Sequence, residues 1–125
     1  MFSVFFFLLS RLQVSDMLIY VCSYDYALVY VINHDGDVIR RCGRKGFYGG
    51  PGELLEPRLC QLDFENSLLI TDTGNGRLQV LSADGEWAFA TLEKSVTKPS
   101  CAYFMKRQLF VAQSDGGYRL LKFYS

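Results

Sequence analysis

What most restricts this chain is that it repeats itself. Residues 28–38, LVYVINHDGDV, and residues 78–87, LQVLSADGEW, follow one plan: a β-branched and aliphatic run, two residues, Asp-Gly, an acidic residue and an apolar one. Asp-Gly between such runs is a hairpin signal, because both turn residues can take positive φ and match the twist of the flanking strands. Each stretch is therefore expected to fold as two antiparallel strands. Short apolar runs precede them, LIYV at 18–21 and LLIT at 68–71. A third copy, LFVA at 109–112, leads through Ser114, Asp115, Gly116 and Gly117 into a last run at 118–123. Further runs at 59–64 and 101–105 come just after Pro57 and Pro99, residues that a sheet admits only at a strand start or edge. The unit is four short strands at a spacing of about 40 to 50 residues, as in a propeller blade.

The strand composition favours stacked blades over a half-wet sheet. Residues 28–32 are apolar at five successive positions and 68–70 at three, so both faces of these strands are expected to be covered. Outer strands alternate, with Trp87, Phe89 and Thr91 set against Glu86, Ala88 and Ala90. No window keeps a 3.6-residue apolar period with caps, so no helix is expected. The expected fold is all-β, a partial propeller of three four-stranded blades at about 10–43, 57–92 and 99–125. Residues 10–15 form the innermost strand of the first blade, and the last blade lacks a fourth strand. It is expected to be open, since propellers close with about four to eight blades.

The first nine residues, MFSVFFFLL, stand apart. They are too short for a bilayer, which takes about 20 residues. No Lys or Arg precedes the run and no small-x-small cleavage pattern follows it. The segment is expected to be a strand, with 4–9 lying at the outer edge of a blade, or the start of a gene fragment. The expected setting is cytoplasmic rather than secreted, with no membrane partner.

Residues 70–81, ITDTGNGRLQVL, with Asp84 and Gly85 behind them, resemble the core of an NHL repeat, which runs roughly aliphatic-x-Asp-x-Gly-Asn-x-Arg-aliphatic-Gln-aliphatic. The Gly-rich stretch at 43–57 likewise resembles the connector between two NHL blades. The first repeat departs from the pattern with Ser23, Tyr24, Asp25 and Tyr26, and the third with Gln113 in place of the aspartate. The resemblance implies a β-propeller in which Asp72, Gly74, Asn75, Arg77, Asp84 and Gly85 build the repeat. Gly74 and Asn75 suit left-handed turn conformations, and Asp72 and Arg77 can pair across the hairpin. In tripartite-motif ubiquitin ligases, propellers of this kind recruit substrates or RNA while a separate RING domain does the ubiquitin chemistry. With no RING, B-box or coiled coil in the sequence, ligase activity is not expected of this chain itself.

Residues suited to catalysis are sparse. His34 is the single histidine and sits in a hairpin turn. Cys22, Cys42, Cys60 and Cys101 show no CxxC spacing and read as buried free thiols, so neither a metal nor a cofactor is expected. The sequence holds no Gly-x-Ser-x-Gly, phosphate-cradling loop or HExxH. One NHL-containing group, the peptidyl-hydroxyglycine amidating lyases, is enzymatic, but it relies on metal-binding histidines that this chain lacks. The expectation is a non-catalytic module that binds a protein partner through blade-end loops. Thirteen basic residues balance thirteen acidic ones, so bulk charge names no partner. Locally, Arg40, Arg41, Arg44 and Lys45 precede Phe47 and Tyr48, and cations beside exposed aromatics also suit single-stranded RNA. An open stack of blades would in addition leave apolar faces through which the chain can self-associate or aggregate.

Overall fold

A computed structural model describes residues 2–8, 17–47, 49–62, 67–91 and 96–122. Its strands form three antiparallel sheets in chain order. The first holds β1 (Phe2–Leu8), β2 (Met17–Ser23), β3 (Leu28–Asn33) and β4 (Val38–Cys42). A small parallel pair follows, β5 (Arg44–Lys45) with β6 (Glu53–Leu54). The second sheet holds β7 (Pro57–Leu62), β8 (Leu68–Asp72), β9 (Arg77–Leu81) and β10 (Trp87–Phe89). The third holds β11 (Pro99–Met105), β12 (Gln108–Gln113) and β13 (Tyr118–Lys122). Among the described residues there is no α-helix, and the sheets do not close into a barrel. The chain is an open, three-bladed piece of a propeller.

Turn chemistry explains the hairpins, with one change from the sequence reading. In the β3–β4 turn the Gly36 N–H donates to the Asn33 carbonyl, and the Asn33 N–H donates to the Asp37 carbonyl. The same pair of bonds recurs at Ser82, Gly85 and Glu86 and at Gln113, Gly116 and Gly117. Only the glycine of each Asp-Gly has positive φ, at 89°, 88° and 92° for Gly36, Gly85 and Gly116. The turn is thus a three-residue loop closed by a glycine bulge, and the aspartates stay in ordinary backbone space. The β8–β9 turn is also corrected. Thr73–Asn75 forms a short 3-10 turn, and Gly76, with φ 67°, takes the left-handed position expected of Gly74 and Asn75.

The innermost strands begin the blades. β7 packs against β1 and β2 of the first sheet, and β11 packs against β7 and β8, so β1, β7 and β11 gather along one side. The N-terminal run is therefore not an outer strand. Phe2–Leu8 pairs with β2 along its whole length, in the place that β7 and β11 hold in their own blades. Residues 10–15, expected to be innermost, lie outside the described residues.

Burial separates the middle blade from its neighbours. All five residues of β8 are buried, because one face meets the first blade and the other the third. Between the first two blades, Tyr20, Cys22, Val29 and Val31 pack against Leu59, Leu68, Ile70 and Leu81, with Leu54 of the connector inserted. Between the second and third, Leu69 and Leu78 pack against Ala102, Leu109 and Val111. β3, predicted to be covered on both faces, instead alternates: Val29 and Val31 are buried while Leu28, Tyr30 and Ile32 are half-buried. Among the described elements the first blade has a neighbour on one side only. Cys22 and Cys42 are buried free thiols, whereas Cys101 is exposed on the far side of the third blade, against expectation. The side chain of Cys60 lies outside the described part.

Ile70→Ala should cost about 2–5 kcal/mol, the range for a large-to-small change in a sealed core. Ile32→Ala, on the uncovered face, should cost under half as much, and urea denaturation of both variants would read the contrast. Burial raises the Cys42 thiol above its ordinary value, with Arg40 opposing. It does the same to the Tyr20 hydroxyl, again against Arg40. Both groups hold their protons more tightly folded than unfolded. Their contribution to stability is therefore complete below about pH 8.5 and is lost as the pH climbs above about 8.5 to 10, where the unfolded thiol and phenol ionise first. A denaturant midpoint that stays flat from pH 7 to pH 11 would contradict this.

Candidate functional site

The motif residues of the second blade converge on a buried carboxylate. Asp72 ends β8 and Arg77 opens β9, directly across the hairpin from it. Both are buried, with Arg77 Nε 2.7 Å from Asp72 Oδ2. The same carboxylate accepts bonds from the Leu55 N–H at 2.7 Å, the Asn75 side-chain amide at 3.0 and 3.1 Å and the Gln79 amide at 3.2 Å. Arg77 spends its remaining N–H groups on the connector, donating to the Gly49 and Glu53 carbonyls at 2.9 Å each. Its guanidinium stands 4.7 Å from the centre of the Phe89 ring. Gln79 donates to the Glu53 carbonyl at 2.8 Å and accepts from the Gly52 N–H at 2.9 Å, while Asn75 donates to the Gly46 carbonyl at 3.0 Å. These four side chains fasten the described connector residues, 46–47 and 49–55, to the second blade.

The connector is thus a folded element rather than a flexible glycine tether. Gly52 shows what that requires. Its φ is 90°, its N–H is bonded to Gln79, and a Cβ there would come 3.1 Å from the Trp87 ring. Asp84 and Gly85 lie away from this cluster, in the β9–β10 turn, where the Gly85 N–H donates to Ser82.

The cation cluster is partly taken up by the fold. Arg40 donates through Nη1 to the Ala83 carbonyl of the second blade's outer turn at 2.9 Å, and Arg44 pairs with Glu53 at 3.3 Å. Arg41 and Lys45 are exposed and make no ion pair among the described residues. Phe47 is 70% exposed. It follows Gly46, whose carbonyl is tied to Asn75, and is therefore held at the end of the blade where the β8–β9 turn lies. Tyr48 lies outside the described residues. His34 sits in the β3–β4 turn, 3.5 Å from Asp35. No group of three or more metal-ligating side chains occurs among the described residues.

The same blade end carries a cluster that sequence reasoning missed. The Tyr24 hydroxyl, in the β2–β3 turn, donates to Glu56 at 2.7 Å, and the Arg58 guanidinium lies 5.6 Å from the Tyr24 ring. The bond to Glu56 raises the Tyr24 hydroxyl above its ordinary value. The corresponding turn of the second blade repeats the reach, with Thr73 donating to the Pro99 carbonyl at 2.6 Å. In each case a turn touches the start of the next blade's inner strand. Tyr24 and Arg58 are 34 positions apart, so only blade stacking brings them together.

Comparison with solved structures agrees with the architecture. Virginiamycin B lyase from Staphylococcus aureus matches all of the chain with a TM-score of 0.54 at 11% identity, the chain covering 47% of that protein. A streptogramin B lyase matches 99% of the chain with a TM-score of 0.54 at 12% identity, 46% of it being covered. A catalytically inactive variant of the S. aureus lyase, solved with quinupristin, gives 0.55 at 13% identity over the whole chain and 47% of its own length. The chain spans about half the length of these proteins. No protein-family model matches the chain, and no curated protein matches it by sequence.

These neighbours correct the expectation that the chain is not an enzyme, for they are lyases. Missing catalytic motifs in three blades do not argue against catalysis on a fold that enzymes use and of which the chain spans about half. At 11–13% identity the likeness is one of fold.

Asp72→Ala, which leaves the Arg77 guanidinium buried and unpaired, should cost about 3–5 kcal/mol. Arg77→Ala should cost a similar amount, and the double variant clearly less than the sum, because the two share one network. A denaturation cycle showing simple additivity would contradict the coupling.

Proposed function

We propose that this propeller segment binds a protein partner through the blade end formed by the β2–β3 turn, the connector and the β8–β9 turn. The observation that carries the reading is Phe47: a large aromatic, 70% exposed, on a loop whose backbone is fastened on both sides through the Gly46 and Gly49 carbonyls. An exposed ring on a pre-ordered loop loses little freedom on binding, which is how aromatic anchors gain affinity. Tyr24 and Arg58 place two more residue types common at interface centres at the same end. The NHL resemblance is compatible with this use, since NHL propellers of tripartite-motif ligases recruit substrates or RNA. RNA binding is less favoured, because Arg40 and Arg44 already serve the fold and the overall charge is balanced.

The test immobilises the 125-residue chain and compares the proteins it retains with those retained by Phe47→Ala and Tyr24→Ala. Phe47 is 70% exposed, so its variant should keep its stability to within about 0.5 kcal/mol, while Tyr24→Ala gives up the bond to Glu56 and should lose no more than about 1.5 kcal/mol. The expected result is a partner retained by the parent chain and reduced at least tenfold by either variant. Retention indifferent to both substitutions would defeat the reading. So would tight binding of a single-stranded oligouridine that weakens steeply with salt and is lost on changing Arg41 and Lys45 to Ala, which would install RNA in its place.

A further inference from the structure

The first two blades hold a small cavity between them, and we infer that it is a binding site for a short aliphatic carboxylate. The cavity measures about 110 Å³, and all of its described walls come from these two blades. Leu18 and Val31 of the first blade face Leu68 and Leu81 of the second across its apolar part, while Tyr20, Arg40 and Ser82 bring hydrogen-bond donors to it. Leu18 pairs with Asn33 and Leu68 with Leu81, which puts the cavity beside the β3–β4 and β9–β10 turns, at the opposite end of the blades from the β8–β9 turn.

Two features of this place are not demanded by the fold. The first is the Tyr20 hydroxyl. Tyr20 is 6% exposed, and its O–H has no hydrogen-bond partner among the described residues; it opens on the cavity instead of being sealed in the core. A polar group taken from water without a partner is costly, so such groups are rare. Phe2 pairs with Ser23, Pro57 with Asp72 and Pro99 with Gln113, which makes Ser23, Asp72 and Gln113 equivalent. Three residues back, Tyr20 corresponds to Leu69, which packs into an apolar core. An apolar side chain therefore serves the blade stack at this position, and the hydroxyl is additional. The second feature is a bulge in β4. Val31 pairs with Arg40 and Ile32 with Val38, leaving Ile39 as an extra residue, whereas β10, the outer strand of the second blade, pairs without a shift. Successive side chains of a regular strand take opposite faces, but the bulge lets both Ile39 and Arg40 reach the cavity.

The donors define the ligand. Arg40 Nη1 is held by the Ala83 carbonyl, which fixes the guanidinium at the rim, and its Nη2 and Nε N–H groups have no partner among the described residues. The charge is close enough to Tyr20 to act on its hydroxyl against the effect of burial. The Ser82 hydroxyl oxygen accepts from the Glu86 N–H and keeps its own O–H to donate. No acidic side chain is among the described lining residues. A fixed guanidinium with two hydroxyl donors suits the two oxygens of a carboxylate, and the leucine and valine wall suits an alkyl chain rather than a hydrated phosphate. The volume is below the roughly 150 Å³ that seats a benzene ring, which leaves room for a carboxylate bearing about three carbons.

Butyrate titrated into the isotopically labelled 125-residue chain, followed by NMR of its methyl groups, tests the inference. The expected result is a saturable shift of the Leu18, Val31, Leu68 and Leu81 methyls, with a dissociation constant in the millimolar range or tighter. Butyramide, of the same shape but uncharged, should bind at least tenfold more weakly. Arg40→Met, at an exposed position, should weaken butyrate at least tenfold. Tyr20→Phe should weaken it about tenfold, the worth of a hydrogen bond to a charged group, while its urea midpoint stays level or rises because the fold gives that hydroxyl no partner. A purely structural tyrosine would do the reverse, losing stability and leaving butyrate binding unchanged. The absence of a saturable shift, which would leave the cavity to water, overturns the inference. So does equal binding of butyramide, or butyrate binding indifferent to both substitutions. Phe47 and Tyr24 lie at the other end of the blades, so the reading of that end as a protein-binding surface is tested separately.

Discussion

The buried carboxylate of Asp72 is the constraint around which the rest is arranged. A charge taken from water costs several kcal/mol even after relaxation, and only a full set of donors offsets it. Here the donors come from two places: Arg77, Gln79 and Asn75 of its own blade, and the Leu55 N–H of the connector. Arg77 is buried in turn and must place its own N–H groups, which it does on the connector carbonyls. Satisfying one ion therefore fixes the path of ten or so residues that carry no regular blade strand. The position of that path seats Leu54 in the core between the first two blades and brings Gly52 under Trp87. The network sets the path as well as holding the blade together, because an apolar replacement of Asp72 and Arg77 would leave the connector carbonyls unpaired.

The other two blades solve the same local problem without an ion. At the position of Asp72 the third blade has Gln113, whose side-chain oxygen accepts the Thr97 N–H at 2.9 Å, the counterpart of the Leu55 bond. The first has Ser23, whose hydroxyl oxygen accepts the Tyr26 N–H within its own turn. At the position of Arg77 they have Tyr118 and Leu28, which cannot fasten a connector. The difference follows from place in the stack. The second blade is enclosed on both faces, and a polar residue there must be paired. Tyr118 is 80% exposed and Leu28 half-buried, and neither side chain brings a charge that needs a partner.

What was legible in the sequence is what is local. Strand pairs and their glycine turns depend on side-chain alternation and on residues within a few positions, so β2–β3–β4 and β7–β8–β9–β10 can be read from residues 18–42 and 57–89 in order. The exact turn type was less legible, because a glycine bulge and a two-residue turn share the Asp-Gly signature, and the backbone N–H groups that the Asn33 and Ser82 side chains accept decide between them. The edge on which the N-terminal run would pair could not be read, since an apolar strand fits either edge and its separation from β2 falls outside any tight turn. The candidate site was the least legible part. Arg40 and Arg44 read as a free cation cluster because their partners, Ala83 and Glu53, come from elements 43 and 9 residues away. Tyr24, Glu56 and Arg58 carry no common motif and meet only through the stacking of two blades.

Stacking also sets where the molecule is firm. The second blade has apolar partners on both faces and the ionic clamp at one end, so opening it exposes two cores and an unpaired carboxylate together. The third blade has three described strands, one covered face and no clamp beyond Gln113 and Ser114 on the Thr97 and Lys98 backbone. Local unfolding follows the least buried surface and the most exposed backbone bonds. Among the described elements opening therefore starts at β13, the outermost described strand of the third blade, and the second blade is last to yield. Covering the outward face of Phe110 and Tyr118 removes that weak point by the same apolar contact that holds the blades to one another.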